Sequence, residues 1–261
     1  MFRNDLSFAS FNFKNNNIID SSTSKTVHEL FITVVLKYSE NLEASIKHLK
    51  TKNILIAKPR KNYYNYLILN ANSLYKLINS FDTKSLSMRP ITNDDLTKFN
   101  DSLIYIGKGK NDRKHQHLLE GKSLFEGNFS YKTMSSKFQK ILDIWKLGNG
   151  LVVFQIFSNS DHYLSLCREY AMIKAAGKNL TNINQGSVFG IMKSKWTINE
   201  IKNFGEMLLF FALKQCIVER PSPIFSYDIN KRIKKPVYEV KKYFIKTNYE
   251  LNGILDYFLE L

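Results

Sequence analysis

Short runs of branched and aromatic residues recur along the chain and predict β-strands. The clearest runs are YYNYLILN at 63–70, SLIYIG at 102–107 and LVVFQIF at 151–157. The pair Gly107 and Gly109 is expected to end the second strand. A weaker run, NILIAKP at 53–59, predicts a short strand that its proline stops.

Apolar residues three and four positions apart predict helices before the first of the main strands. Two helices are predicted there, the first starting at Val27 and the second covering Leu42, Ile46 and Leu49. They follow an arm at residues 1–25 that has no clear periodicity. We therefore expect a partly helical N-terminal segment.

Further helices are predicted between and after the strands. Their positions are 73–81, 92–99, 111–121, 131–147 and 161–177. Gly121 is expected to close the third of them, and Asp161 and Gly177 have the residue types of an N-cap and a C-cap for the last. The resulting order of strand, insertion, strand, two helices, strand and helix is typical of a small α/β unit with helices packed on a three-stranded sheet.

The C-terminal third of the chain predicts two more helices. TINE at 197–200 has the form of a capping box, and apolar positions after it would cover the core. LNGILDYFLEL at 251–261 predicts an amphipathic helix that docks on its own domain. The chain is thus expected to divide into a basic, partly helical extension at 1–60, a core domain at 61–228 and a basic extension at 229–261.

Charge narrows the class of partner. Lysines and arginines number 38 against 23 acidic residues, for a formal net charge of +15 and a pI near 9.6. A protein of this charge is attracted to polyanions, and nucleic acid is the leading candidate.

Two sequence features bear on the compartment. The longest apolar runs, such as MLLFFAL at 207–213, are too short to span a bilayer, and the N-terminus lacks the unbroken apolar stretch of a signal peptide. Cys167 and Cys216 are too few for a disulfide framework or a thiolate zinc site. We expect an intracellular protein, in the nucleus or the cytoplasm, with no membrane partner.

One stretch, SLIYIGKGKNDRKHQHLLEG at 102–121, combines side chains suited to phosphate chemistry. Arg113 and His117 are four positions apart and share one face of a helix. Tyr105 lies at the end of the preceding strand, with Lys108 and Lys110 between. Together these groups offer donors for phosphate oxygens and an acceptor for a proton of water.

A metal-binding carboxylate is missing from that stretch. Glu169 is the candidate, because an acidic residue on an otherwise apolar helix requires an electrostatic partner. One carboxylate with several waters is sufficient for magnesium or manganese. Each of these residues taken alone is more often a packing or solvated residue, so spacing leaves phosphodiester chemistry and simple nucleic-acid binding both open.

Several sequence blocks in a fixed order resemble a known family. YNY at 64–66 followed by LILN, and YIG at 105–107 followed by KGK, resemble the paired signature of the GIY-YIG nuclease superfamily. Later blocks follow the order of one branch, the animal endonucleases with ankyrin repeats and a LEM domain: KFQKILDIWKLGNGLVVFQIF, CREYAMIKAAG, LTNINQGSVFG and GEMLLFFALKQ. The resemblance covers about residues 62–228 and implies a mainly antiparallel three-stranded sheet flanked by helices.

The resemblance also implies a set of site residues. They are Tyr66, Tyr105, Arg113, His117, Glu169 and Asn182. Arg113 would stabilise developing negative charge and Glu169 would hold one divalent cation, while water cuts the phosphodiester to leave a 5′-phosphate and a 3′-hydroxyl. The proton acceptor is Tyr66, Tyr105 or His117. Because the first signature is Tyr-Asn-Tyr here, Tyr64 is an alternative frame for its tyrosine.

Ankyrin and LEM segments do not occur in these 261 residues, so substrate targeting is expected to depend on residues 1–60 or on those after 228. The stretch KRIKKPVYEVKKYFIK interleaves basic and aromatic residues, a composition typical of phosphate binding beside base stacking. The predicted DNA-binding residues are Lys108, Lys110, Lys231, Arg232, Lys234, Lys235, Lys241 and Lys242.

These features predict a metal-dependent DNA endonuclease that acts on branched or distorted DNA. Two alternatives remain open. One is a module of the same fold that binds nucleic acid without cutting it, and the other is a sequence-specific nuclease of the homing or restriction type.

Overall fold

The three predicted strands form one antiparallel sheet in this computed structural model. They are β1 (Tyr63–Asn70), β2 (Leu103–Lys110) and β3 (Leu151–Ser160). Their order is β2-β1-β3, so β1 is central and β2 and β3 are edge strands. The predicted α/β fold class and the antiparallel sheet are confirmed.

Eight helices surround the sheet within the described residues, which are 24–56, 62–81, 89–127 and 135–229. They are α1 (Ser24–Thr51), α2 (Ala71–Ile78), α3 (Asn93–Ser102), α4 (Arg113–Phe125), α5 (Ser136–Lys146), α6 (His162–Ala176), α7 (Gly190–Ser194) and α8 (Ile198–Glu219). Two 3₁₀ turns, Gly177–Asn179 and Ser226–Asp228, complete the elements.

The central strand is buried on both faces, which explains its nearly continuous apolar sequence. On one face Leu67 and Leu69 pack into a core that also includes residues of α1, α6 and α8. On the other face Tyr64, Tyr66 and Ile68 pack against residues of α4 and α5. Since successive side chains of a strand point to opposite faces, the two tyrosines share the α4 and α5 side.

The glycines of β2 make room for tyrosine rings, and the prediction that they end the strand is wrong. β2 continues through both to Lys110. Gly107 pairs with Tyr66 and Gly109 pairs with Tyr64. A Cβ atom at Gly107 would lie 2.5 Å from Cζ of Tyr66, and one at Gly109 would lie 2.5 Å from Cε2 of Tyr64. The rings therefore lie where a side chain of β2 would otherwise stand.

Three other predictions are corrected. The two N-terminal helices are one continuous helix, α1, because its apolar spacing carries on from one predicted segment into the next. Residues 53–56 form turns and bends, with Ile54 and Ile56 exposed, so no strand forms there. Gly121 lies inside α4, where its missing side chain lets Ile141 of α5 approach closely.

The predicted helix caps around the core are confirmed. The Asp161 side chain accepts a hydrogen bond from Tyr163 N at the start of α6, and Gly177 ends that helix with a φ of +79°. Thr197 and Glu200 form the capping box of α8. The predicted stripe of α8 is buried and consists of Ile201, Phe204, Leu208 and Phe211.

Several predictions concern residues outside the described ranges. They include the arm before residue 24, Pro59, the first four residues of the helix predicted at 131–147 and the amphipathic helix at 251–261. The division of the chain at residues 60 and 228 stays a prediction.

The packing of Tyr64 over Gly109 yields a test by a double-mutant cycle. We expect Gly109→Ala to lower the free energy of unfolding by about 1–3 kcal/mol, because the new methyl group overlaps the ring. In a Tyr64→Ala background the same change should cost less, with a coupling of about 1 kcal/mol or more between the two positions. Urea titrations of the four proteins measure it, and additive effects would contradict the proposed overlap.

Candidate active site

Two tyrosines and a histidine cluster on the α4 side of the sheet. The ring of Tyr105 lies 6.0 Å from that of Tyr66 and 5.0 Å from that of His117, between centroids. Tyr66 is 1% exposed and His117 is 6% exposed, whereas Tyr105 is only partly buried. Tyr105 is thus the tyrosine of the pair that is open to solvent.

Tyr64 has a different environment from Tyr66. Its hydroxyl donates a hydrogen bond to the carbonyl of Asn111 and accepts one from Lys114 N at 3.3 Å. These bonds hold the turn between β2 and α4, so the phenol of Tyr64 anchors the backbone that leads into the helix. Tyr66, in contrast, lies beside Tyr105 and His117, which favours it over Tyr64 as the tyrosine of the first signature.

Basic side chains surround this cluster. Arg113 is exposed at the start of α4, and its positive charge offsets part of the rise that burial causes in the pKa of Tyr66 and of Tyr105. Lys137 of α5 places its Nζ 2.9 Å from Nδ1 of His117 and 4.8 Å from the centroid of the Tyr105 ring. Two cations from different helices therefore border the same aromatic group.

Burial and charge keep the three titratable rings neutral at pH 7. Burial and, to a smaller extent, the charge of Lys137 lower the pKa of His117 to about 4, outweighing the opposite effect of Glu120 at 3.5 Å. Burial also raises the pKa of Tyr66 and of Tyr105 above the usual value for a phenol. The imidazole is thus an available proton acceptor, and the phenols are hydrogen-bond donors.

Glu169 is held at the free edge of β2. In an antiparallel edge strand every second residue directs its N–H and C=O away from the sheet, and these groups need partners. The bonds that satisfy them are Thr181 N to Ile104 O at 2.9 Å, Ile106 N to Asn182 Oδ1 at 3.1 Å and Lys108 N to Glu169 Oε1 at 3.1 Å. Asn182 also donates from Nδ2 to the carbonyl of Ile106 at 2.7 Å.

The edge contact brings Glu169 close to the aromatic cluster. Burial is the main cause of the raised pKa of Tyr66 and of Tyr105, and the negative charge of Glu169 raises the pKa of both phenols further, so the carboxylate interacts electrostatically with the two. The proposed site residues that are distant in sequence therefore meet at the Tyr105 end of the sheet.

The surroundings of Glu169 fit a divalent cation. Burial raises the pKa of Glu169 to about 7, against 4.5 for a free glutamate, and the charge of Lys108 offsets only part of that effect. A partly buried carboxylate with so little compensation gains from a bound cation. Within the described ranges no group of three or more His, Cys, Asp or Glu side chains forms a cage, so the remaining ligands would be waters and phosphate oxygens.

The predicted DNA-binding residues fall into three groups. The Nζ of Lys108 is 3.2 Å from Nδ1 of His162, on the α6 side of the sheet rather than among the tyrosines. Lys110 is exposed at the end of β2, near the Tyr63 ring. The predicted C-terminal residues lie outside the described residues, and they are Lys231, Arg232, Lys234, Lys235, Lys241 and Lys242.

Lys137 is the site residue that sequence reasoning missed. It lies 20 positions after His117 on another helix, as the first residue of the block KFQKILDIWKLGNGLVVFQIF, and that block gave it no role. Only the packing of α5 against α4 places it at the imidazole. The apolar stripe of α5 was the one available signal, because it predicts which helix packs at this face.

The family described as the LEM-3-like GIY-YIG domain matches residues 63–231, well over half of the 261 residues. The chain belongs to this family. GIY-YIG domains are nuclease domains, and the matched range contains each of the six predicted site residues. The predicted resemblance to this family is thereby confirmed.

Curated relatives agree with the family assignment. The chain is 28% identical over 176 residues to human ankyrin repeat and LEM domain-containing protein 1, covering 66% of this chain and 27% of the relative. It is 29% identical over 137 residues to the mouse protein of that name, covering 50% and 24%. It is 26% identical over 152 residues to the Caenorhabditis elegans homolog, covering 54% and 21%. The chain thus spans about a quarter of the length of these relatives.

Two further findings concern solved structures and membrane-spanning helices. No solved structure matched the chain. Among the described residues, no helix combines the length and the apolar composition needed to cross a bilayer.

The burial of Glu169 predicts a gain in stability from Glu169→Gln. Because its folded pKa is raised, the carboxyl group favours folding below about pH 4.5, and that contribution is lost as the pH rises through 7. At about 1.4 kcal/mol per pKa unit, we expect metal-free Glu169→Gln to be roughly 2–3 kcal/mol more stable than the parent at pH 8 and equally stable at pH 4.5.

Urea unfolding in the presence of a chelator measures this difference, with Glu206→Gln on α8 as the matched control. Added Mn²⁺ should stabilise the parent and leave Glu169→Gln unchanged, because only the parent has the carboxylate. A parent as stable as Glu169→Gln at pH 8 would show that the carboxylate is well solvated or otherwise compensated.

Proposed function

We propose that the domain is a divalent-metal-dependent DNA endonuclease that hydrolyses phosphodiester bonds. The observation that carries the proposal is the meeting of Tyr66, Tyr105, Arg113 and His117 on one face of the sheet with Glu169 at its adjacent edge. These five groups come from two strands and two helices, and they combine the donors, acceptor and carboxylate that phosphoryl hydrolysis requires.

Arg113 and Lys137 bind the scissile phosphate in this proposal. The Nζ of Lys137 lies 4.8 Å from the centroid of the Tyr105 ring, and the charge of Arg113 acts on the same phenol. Their N–H groups and the phenol hydroxyl groups donate hydrogen bonds to the nonbridging oxygens. Their positive charges stabilise the negative charge that grows during attack. The chain's net charge of +15 would draw the DNA backbone to the domain from a distance.

His117 accepts the proton from the attacking water. It is the ring of the cluster that is unprotonated at neutral pH and can accept a proton, while the two phenols are protonated. An anionic phosphate between Arg113 and Lys137 would raise the pKa of the imidazole by offsetting those charges. Tyr105, between His117 and the solvent, orients the water or relays its proton.

The bond that breaks is the one between phosphorus and the 3′ oxygen. The water oxygen forms the new bond to phosphorus, which leaves a 5′-phosphate, and the departing oxygen takes up a proton to become a 3′-hydroxyl. A divalent cation held by Glu169, magnesium or manganese, would neutralise charge on the phosphate and on the departing oxygen. Glu169 itself stays anchored by its bond to Lys108 N.

Branched or distorted DNA is the proposed substrate class. The support is the resemblance to the ankyrin-and-LEM branch in block order and in the matched range. Residues Lys108 and Lys110 extend the basic surface away from Tyr66 and Tyr105, so they would contact strands beyond the scissile phosphate.

Cleavage of a branched duplex in Mg²⁺ or Mn²⁺ is the direct test. We expect Glu169→Gln and Arg113→Ala each to slow single-turnover cleavage by about 100-fold or more, since each removes a charged side chain that acts on the reacting groups. The charge-matched controls are Glu206→Gln and Lys98→Ala, both on helices outside the cluster, which should cleave at the parent rate.

Two results would contradict the proposal. Equal cleavage by the parent and by Glu169→Gln would exclude Glu169 as the metal ligand. Salt-sensitive DNA binding by the parent without strand scission in any divalent metal would instead support a binding module of the same fold.

The raised pKa of Glu169 predicts a metal-linked pH profile. Protons and the cation compete for the same carboxylate, so at low metal concentration the cleavage rate should rise as the pH increases through about 7. Raising the metal concentration should move the midpoint to lower pH. Rates measured from pH 5.5 to 8.5 at several Mn²⁺ concentrations check this, and a midpoint that is independent of metal would contradict it.

A further inference from the structure

A groove of about 340 Å³ lies beside the candidate active site, between the end of α6 and the loop that follows it. Its lining residues are Ile173, Lys174, Gly177, Leu180, Asn182 and Gln185. Ile173 follows Glu169 by one helical turn and therefore lies on the same side of α6. Asn182 is bonded to the edge of β2 two residues before Lys108, which binds Glu169. The groove thus begins next to the proposed metal ligand.

The chemistry of the lining combines an apolar surface with hydrogen-bonding groups. Ile173 is 7% exposed and Leu180 is partly buried in the main core, so both are fixed apolar surfaces. Gln185 accepts a hydrogen bond at its Oε1 from Lys174 Nζ at 2.6 Å. The amide nitrogen of Gln185 donates to no described residue, which leaves it for a ligand.

The loop is held rigidly at its beginning. Thr181 bonds to the carbonyl of Ile104 through both its N–H and its hydroxyl, at 2.9 and 2.7 Å. Asn182 makes two bonds to Ile106. Because these bonds occupy the edge of β2, the groove keeps its shape without a ligand, as preformed binding sites do.

We propose that this groove binds one unpaired nucleotide of the substrate, next to the scissile phosphate. The amide of Gln185 can pair with a base edge, the apolar wall can contact the flat face of a base, and Lys174 can approach a phosphate. The volume is at the lower end of ligand sites and fits a single nucleoside rather than a base pair. This inference rests on the proposed nuclease function and specifies which feature of the DNA is recognised.

Occupation of the groove would select branched or distorted DNA. A base in a continuous duplex must break its pairing and stacking before it can enter, whereas a base at a branch point or bulge is already unpaired. Binding in the groove therefore costs this free energy of opening only when the substrate is a regular duplex. Cleavage of DNA with an unpaired nucleotide is expected to exceed cleavage of the fully paired duplex of the same sequence.

The test compares two DNA duplexes, one with a single unpaired 2-aminopurine and one fully paired. The groove variant is Lys174→Ala with Gln185→Ala, and the charge control is Lys98→Ala. We expect the parent to prefer the first duplex, and the groove variant to lose about tenfold or more of that preference, which corresponds to about 1.4 kcal/mol. Its rate on the paired duplex should stay within about twofold of the parent rate, because no base enters the groove there.

A binding measurement makes the result independent of cleavage. In the Glu169→Gln protein, 2-aminopurine fluorescence should change on binding, because the base moves to a new environment, and the groove substitutions should abolish the change. Equal slowing on both duplexes, or no change in preference, would overturn the proposal. If the parent cleaves neither duplex, the nuclease proposal fails, and the fluorescence alone decides the groove.

Discussion

The free edge of β2 is the constraint on which the site depends. An edge strand leaves a row of N–H and C=O groups without strand partners, and burying them unpaired is costly. Here the segment around Thr181 and Asn182 forms hydrogen bonds with part of this row through its side chains and backbone. Glu169 of α6 accepts a hydrogen bond from the next N–H donor of the row. The same bond that satisfies the strand edge thus holds the carboxylate near the phenols of the opposite face.

Packing of rings over glycines determines the other half of the site. Tyr64 and Tyr66 lie over Gly109 and Gly107, so the two strands place aromatic rings where β2 has no side chains. Tyr64 then forms a hydrogen bond with the start of α4, and Tyr66 lies beside Tyr105. A structural tyrosine and a site tyrosine therefore arise from one repeated contact.

Helix α1 extends the fold beyond the matched family range and supports the helix that carries Glu169. Leu42 and Ile46 are buried in the main core. Lys50 forms an ion pair with Asp161, which caps α6, and Arg168, adjacent to Glu169, donates to Ser39 of α1. These contacts fix α6 at its start and at its centre. The buried carboxylate of Glu169, with a pKa near 7, destabilises the fold, and the contacts between α1 and α6 hold it in place.

The sequence by itself determined the order of the three main strands and of the helices between them, the α/β class and the caps of α6 and α8, because apolar periodicity and cap residues act over a few positions. The resemblance of its blocks to a family added the candidates Tyr66, Tyr105, Arg113, His117, Glu169 and Asn182. Only the tertiary structure decided that Gly107 and Gly109 lie within β2, that Tyr64 anchors α4, that Asn182 pairs with the strand edge and that Lys137 reaches His117. Each of these depends on contacts between residues far apart in the chain, and local patterns carry no information about which distant side chain will fill a given space.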